Sequence, residues 1–131
     1  MSLPTREDNN ISTGRIGEDL ACEFLESNGY RVIDRNFRKP WGEIDVIAKD
    51  KDRTLVFVEV KTMAGRQTLK PEDNLTAAKL KKVQRTASLY ANAHPELVKD
   101  RKGWRVDLIA ITLDPEGSEG DPKIEHYQNI A

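Results

Sequence analysis

Apolar positions recur along this chain with two different periods, and the switches between them mark out its elements. Leu20, Ala21, Phe24 and Leu25 follow helical spacing. A helix is therefore expected from a cap at Ser12 or Thr13 to about Asn28, with Gly29 as its stop. Tyr30-Arg31-Val32-Ile33-Asp34-Arg35-Asn36 then reads as an edge strand. A turn at Lys39-Pro40-Trp41-Gly42 leads to a strand over residues 43–48, and the polar tip at 49–53 makes a hairpin into a strand over 54–62. Residues 63–75, with Gly65 and Pro71, read as a mobile loop. Helical spacing returns at Leu80, Val83, Ala87 and Tyr90, predicting a second helix over residues 76–93 that Pro95 ends. A strong strand over 104–112, an acidic turn-rich segment at 114–121 and a short strand near 123–128 complete the chain. The order α-β-β-β-α-β-β predicts an α/β fold, a central mixed sheet flanked by helices. The strand after the second helix would return beside the central one by a right-handed crossover.

Composition narrows the class without naming a function. At 131 residues the chain reads as a single domain, with residues 1–10 expected to be flexible. No apolar run approaches the roughly 20 residues of a membrane span, and the polar start does not read as a signal peptide. One cysteine, Cys22, cannot form an intramolecular disulfide and fits a reducing, cytoplasmic setting. A net charge of −1 argues against a protein that coats nucleic acid. Yet residues 61–105 carry eleven Lys/Arg against four acids. Such asymmetry can steer a polyanion towards an acidic site, although a solvated helix face accounts for it equally well.

The candidate chemistry lies at the end of the most apolar strand. Leu55-Val56-Phe57-Val58 should lie inside a sheet, and it runs directly into Glu59-Val60-Lys61. Alternation points Glu59 and Lys61 the same way, with Cα atoms roughly 6.6 Å apart. Glu43, Asp45 and Ile47 are expected to share a face of the preceding strand, opposite Ile44, Val46 and Ala48. Glu18 falls on the apolar stripe of the first helix, and would bring a third acid to the same side of the sheet. Glu18, Asp45 and Glu59 beside Lys61 leave two uncompensated negative charges in a partly desolvated place. Burial of carboxylates is costly, and clustering like charges raises a pKa. A divalent cation would offset the surplus, and carboxylate oxygens suit Mg²⁺ or Mn²⁺. Metal-dependent phosphodiester cleavage is the chemistry such a group can perform; a salt-bridge network at a sheet edge is the plainer explanation.

These residues also carry a family resemblance. Gly14-x-x-Gly17-Glu18-x-x-Ala21, Gly29-Tyr30, Arg35-Asn36, Gly42-Glu43-Ile44-Asp45, Val58-Glu59-Val60-Lys61 and Arg105-Val106-Asp107 resemble the YraN family of uncharacterised small bacterial proteins. The helix acid, the Gly-Glu-Ile-Asp strand and Phe57-Val58-Glu59-Val60-Lys61 likewise resemble the PD-(D/E)xK nuclease superfamily of restriction-endonuclease-like fold, and YraN proteins are regarded as similar to archaeal Holliday junction resolvases. The likeness runs from about Ile11 to the C-terminus. It implies a divalent-metal-dependent endonuclease acting on DNA, branched or single-stranded, with a homodimer as a further expectation. By the same resemblance Asp45 and Glu59 would be metal ligands, with the Val60 carbonyl as a candidate third. Lys61 would orient the attacking water and stabilise developing charge, and Glu18 would bind metal through water or support a second ion. Two positions depart from the pattern: Ile44 stands where the signature has proline. Met63 stands where many relatives carry arginine, with Arg66 as a candidate substitute.

Other polar residues carry weaker expectations. Lys79, Lys82 and Arg85 fall on one side of the second helix and are candidate phosphate contacts, whereas Lys81 points elsewhere. Trp41 could stack on an unpaired base or plug a hydrophobic gap. Glu43 is a candidate supporting acid. Asp107 is expected to pair with Arg105 or another neighbour rather than bind metal. His94 and His126 lack ligand spacing, and Cys22 reads as a core residue. The alternative to an enzyme is a non-catalytic DNA- or protein-binding module that retains the nuclease fold.

Overall fold

Side-chain alternation along the strands divides the apolar residues between two layers, one on each face of a sheet. The computed structural model describes residues 6–64, 75–98, 103–113 and 121–131. Helix α1 (Arg6–Ser27) is followed by strands β1 (Arg31–Lys39), β2 (Gly42–Lys49) and β3 (Leu55–Ala64). Helix α2 (Ala77–Ala93) and strands β4 (Trp104–Leu113) and β5 (Lys123–Tyr127) complete the expected order. The five strands lie in sequence order, antiparallel except for the β3–β4 pair, which is parallel. A mixed sheet flanked by helices is thus the architecture that the patterning predicts.

Val46, Ala48, Val56, Val58, Ile109 and Ile111 pack with Ala21, Cys22 and Leu25 of α1. On the other face Ile44, Ile47, Leu55, Phe57 and Val106 pack with Val83, Ala87, Tyr90 and Ala91 of α2. Burying a large aliphatic or aromatic side chain contributes roughly 1.5–3 kcal/mol. Tyr90 adds edge-to-face contacts with Phe37 and Phe57, at centroid separations of 5.1 and 5.7 Å.

Three boundaries differ from the sequence expectation: strand β1 runs over Arg31–Lys39 rather than Tyr30–Asn36, and α1 and β3 are each longer at one end. Helix α1 starts at Arg6 rather than at Ser12 or Thr13. No Gly or Pro interrupts the chain there, and nothing compels a break at the polar stretch. Strand β3 continues to Ala64, because its ladder with β4 persists through Met63↔Thr112 and Ala64↔Leu113. Of the expected loop, residues 65–74 lie outside the described residues, and Arg66 with them. The remaining punctuation holds. Gly29 ends α1 at φ +85°, and Thr76 caps α2 by accepting from the Lys79 N–H at 3.2 Å.

Two glycines set how closely the layers approach. A Cβ at Gly17 would lie 1.7 Å from the Thr62 hydroxyl oxygen, so α1 meets β3 at a point only glycine permits. A Cβ at Gly42 would lie 2.0 Å from the Thr86 hydroxyl oxygen, which seats the β1–β2 turn on α2. Among the described residues, no helix is long and apolar enough to cross a membrane.

Candidate functional site

Strand β2 changes the face it presents at Asp45. Val46 and Ala48 pack on the α1 side, and Ile47 on the α2 side, as alternation requires. Ile44 also packs on the α2 side, although alternation would place it with Val46. The expected opposition of Ile44 to Ile47 therefore fails, and the reason is a local break. The β2–β3 register runs from Lys49↔Leu55 only as far as Val46↔Val58. On the other flank Asn36 adopts φ 53°, between the pairs Arg35↔Val46 and Phe37↔Ile44. At the break, Asp45 Oδ2 accepts the Val60 N–H at 2.8 Å, standing in for a ladder carbonyl.

Glu59, one residue before Val60, lies on the α2 face and lines a groove of about 470 Å³. Its Oε1 is buried and has no hydrogen-bond partner among the described residues. Burial pushes its carboxyl up to about 8, the charges of Asp45 and Glu43 add to the rise, and Arg38 and Lys79 oppose it. Burial also raises Asp45, to about 6; the Val60 N–H opposes the rise, Glu18 and Glu43 add to it and Arg38 counters it. Alternation from Phe57 through Glu59 puts Lys61 on this same face, half-buried and opposite Ala110 in the parallel ladder.

Glu18 is placed differently from the expectation. It rides on α1, which covers the face opposite Glu59, and it lines a second groove of about 520 Å³ with Arg15, Asp19, Arg35 and Arg38. Its carboxylate lies 4.0 Å from the Arg35 guanidinium, which is bound more closely by Asp19 at 2.6 Å. Glu18 still raises the Asp45 carboxyl, so Asp45, at the break in β2, is within electrostatic reach of both grooves. Helix α1 packs through Ala21, Cys22 and Leu25 on Val46 and Val58, so Glu18 approaches from the sheet face opposite Glu59 rather than sharing its face.

The donor set suits one kind of cation. Among the described residues no three His, Cys, Asp or Glu side chains are gathered closely enough to hold an ion by themselves. Asp45 and Glu59, with one carboxylate oxygen unpartnered among the described residues, offer the hard oxygen donors that Mg²⁺ or Mn²⁺ takes.

Of the candidate nucleic-acid contacts, Lys79 and Lys82 line the Glu59 groove, and Trp41 lies on its rim with half its surface exposed. Arg85 is exposed on α2 and is not among the lining residues. Lys39 and Thr86 line the same groove, and Arg15, Arg35 and Arg38 line the one around Glu18; none of these is among the site residues expected from sequence. Lys39 had a visible signal, its place two residues before Trp41 in the turn. Arg35 had one, the Arg35-Asn36 pair of the family resemblance; Arg15 had none, since only the packing of α1 on the sheet brings it towards β1.

Asp107 binds no part of this site. It is fully buried and engages Arg105 Nε at 3.0 Å, His126 Nε2 at 2.8 Å and the Asn129 N–H at 2.9 Å. Burial raises its carboxyl, but these partners more than offset that and hold it below the usual range. Arg105 continues to Asp50 and to the Tyr30 hydroxyl, each at 2.9 Å. The pairing of Asp107 with Arg105 is as expected; His126, isolated in sequence, belongs to the same network.

The profile of the uncharacterised protein family UPF0102 matches residues 17–111. A UPF0102 protein of Symbiobacterium thermophilum is 44% identical over 104 residues, covering 79% of this chain and 85% of that protein. One from Arthrobacter sp. (strain FB24) is 39% identical over 117 residues, covering 89% and 93%. One from Mycobacterium tuberculosis is 36% identical over 124 residues, covering 92% of each. Among solved structures, a chain of an EndoMS–dsDNA complex is similar at 15% identity with a TM-score of 0.42. That match covers 81% of this chain but only 36% of the other. With the profile running from α1 into β4 and these relatives aligned over most of their length, the chain belongs to UPF0102, in accord with the resemblance of its motifs.

Proposed function

We propose that this chain is a divalent-metal-dependent endonuclease that hydrolyses DNA phosphodiesters. The observation that carries the reading is the pair Asp45 and Glu59. Both carboxyls are raised by burial, they repel each other, and Glu59 keeps one oxygen unpartnered among the described residues. A structural salt bridge would have neutralised that oxygen; a site awaiting a cation leaves it open. Asp45 and Glu59 would hold Mg²⁺ or Mn²⁺, with the Val60 carbonyl as a further donor, and Glu18 would act on the ion through water from the α1 side. When bound, the ion lowers the pKa of water and offsets phosphate charge. Lys61 orients the attacking water and stabilises charge on the transition state. Lys79, Lys82, Arg85, Arg66 and Trp41 contact the nucleic acid. The setting is cytoplasmic, and a homodimer would supply two sites for paired cuts in branched DNA.

A second reading, a non-catalytic DNA- or protein-binding module, is favoured by one observation. Glu18 sits near Arg35 rather than beside Glu59, so among the described residues no three acids converge. The experiment that separates them is a panel of linear, flapped, four-way and single-stranded DNA with Mn²⁺. Cleavage by the intact protein, abolished in Asp45→Asn and in Lys61→Ala while DNA binding by Lys61→Ala persists, supports the enzyme. Equal nicking by the intact protein and Asp45→Asn points to a contaminant and ends the enzyme reading, as does no cleavage of any substrate.

A further inference from the structure

The groove that Glu59 lines has features that catalysis at Asp45 and Glu59 does not require. Its rim is the two-residue turn between β1 and β2, and Trp41 stands there 50% exposed. Trp41 belongs to neither core cluster, so its ring is not committed to packing between the layers. The turn is held in place, because Gly42 approaches the hydroxyl of Thr86, a residue only 1% exposed. Thr86 is itself fixed by donating to the Lys82 carbonyl at 2.8 Å. The indole therefore projects from an anchored turn, beside Lys39 at the end of β1 and across from Lys79 and Lys82 of α2. An aromatic face beside cations over a groove of about 470 Å³ matches a base with its flanking phosphates.

The structure assigns this groove, we infer, as a subsite for one unpaired nucleotide, its base stacked on Trp41 and its phosphates held by Lys39, Lys79 and Lys82. The inference rests on the nuclease reading only for its purpose, which is to deliver the adjoining phosphate to Asp45 and Glu59. Its consequence is substrate class. A base within a duplex is stacked on both faces and offers none to Trp41 unless it is flipped out, which costs a few kcal/mol. A base in a single strand or flap has a free face. The subsite therefore selects single-stranded DNA over duplex through stacking, while the lysines hold either form through charge.

The test is equilibrium binding of the full chain in EDTA to a labelled single-stranded 12-mer and to a duplex of the same length. The intact protein, Trp41→Ala and Trp41→Phe are compared, each checked by thermal melting. Trp41→Ala should weaken single-strand binding about tenfold and duplex binding less than twofold, with Trp41→Phe close to the intact protein. Because the other tryptophan, Trp104, packs against the α2-side core, the single strand should quench intrinsic fluorescence in the intact protein but not in Trp41→Ala. Equal losses for both DNA forms, no loss at all, or no single-strand binding by the intact protein would overturn the subsite. Metal-dependent cleavage of duplex DNA that still needs Lys61 would survive each of those results, so the subsite can fail without the nuclease reading failing.

Discussion

Asp45 Oδ2 accepts the backbone N–H of Val60 at 2.8 Å, so a side chain of β2 does what a main-chain carbonyl would do in an unbroken ladder. That one bond ends the regular β2–β3 pairing and brings an acid into the sheet beside Glu59. It also ties the carboxylate to the strand that carries Lys61.

The metal-free protein should lose stability as pH rises. Asp45 and Glu59 are raised from 3.8 and 4.5 to about 6 and about 8 in the folded chain. The folded state thus holds protons that the unfolded state has released, and stability declines between about pH 4 and pH 8. A fall in Tm of about 3–8 °C across that window is expected. Calorimetry in EDTA that showed a rise instead would contradict this placement of the two acids.

Divalent ions should reverse that loss, and more so at high pH. A carboxylate must be deprotonated to bind metal, so Mn²⁺ should raise Tm more at pH 8 than at pH 6. The comparison needs only melting curves with and without the ion, and an ion effect independent of pH would count against Asp45 and Glu59 as ligands.

Asp45→Asn should separate stability from metal binding. The amide keeps an oxygen to accept from Val60 while removing one of two repelling charges. The variant is expected to melt higher than the parent at pH 8 in EDTA, by about 1 kcal/mol or more, and to gain nothing from Mn²⁺. Asp45→Ala loses the acceptor and should melt below Asp45→Asn, which chemical denaturation can rank.

Two glycines of one helix should respond oppositely to alanine. Gly14 has open space where a Cβ would stand, so Gly14→Ala should stabilise by about 1 kcal/mol through helix propensity. At Gly17 the same change meets the Thr62 side chain at 1.7 Å and should destabilise by about 1–3 kcal/mol. Urea midpoints of the two variants decide the matter, and Thr62→Ala should recover part of the Gly17→Ala loss.

Asp107→Ala should cost about 3 kcal/mol or more, because Arg105 is left buried with less compensation and the Asn129 N–H loses its acceptor. Metal binding at Asp45 and Glu59 should persist in this variant wherever it remains folded. Chemical denaturation checks the first half, and titration with Mn²⁺ below the melting range checks the second.

The order and type of the elements, the acids on the β2 and β3 segments, and the pairing of Arg105 with Asp107 were readable from the chain alone. They depend on local periods: 3.6 residues for a helix, two for a strand, and glycine or proline where a turn must form. Glu59 and Lys61 share a face for that reason. Where Glu18 lies relative to Glu59 is a different kind of fact, since it depends on which sheet face each helix covers. Two-residue alternation also fails at Asp45, because a long-range bond to Val60 outweighs it. The groove joining Trp41 to Lys79 and Lys82 likewise exists only once the β1–β2 turn is seated on Thr86. Local period names the residues that carry charge; contacts between elements distant in sequence decide which of those charges meet.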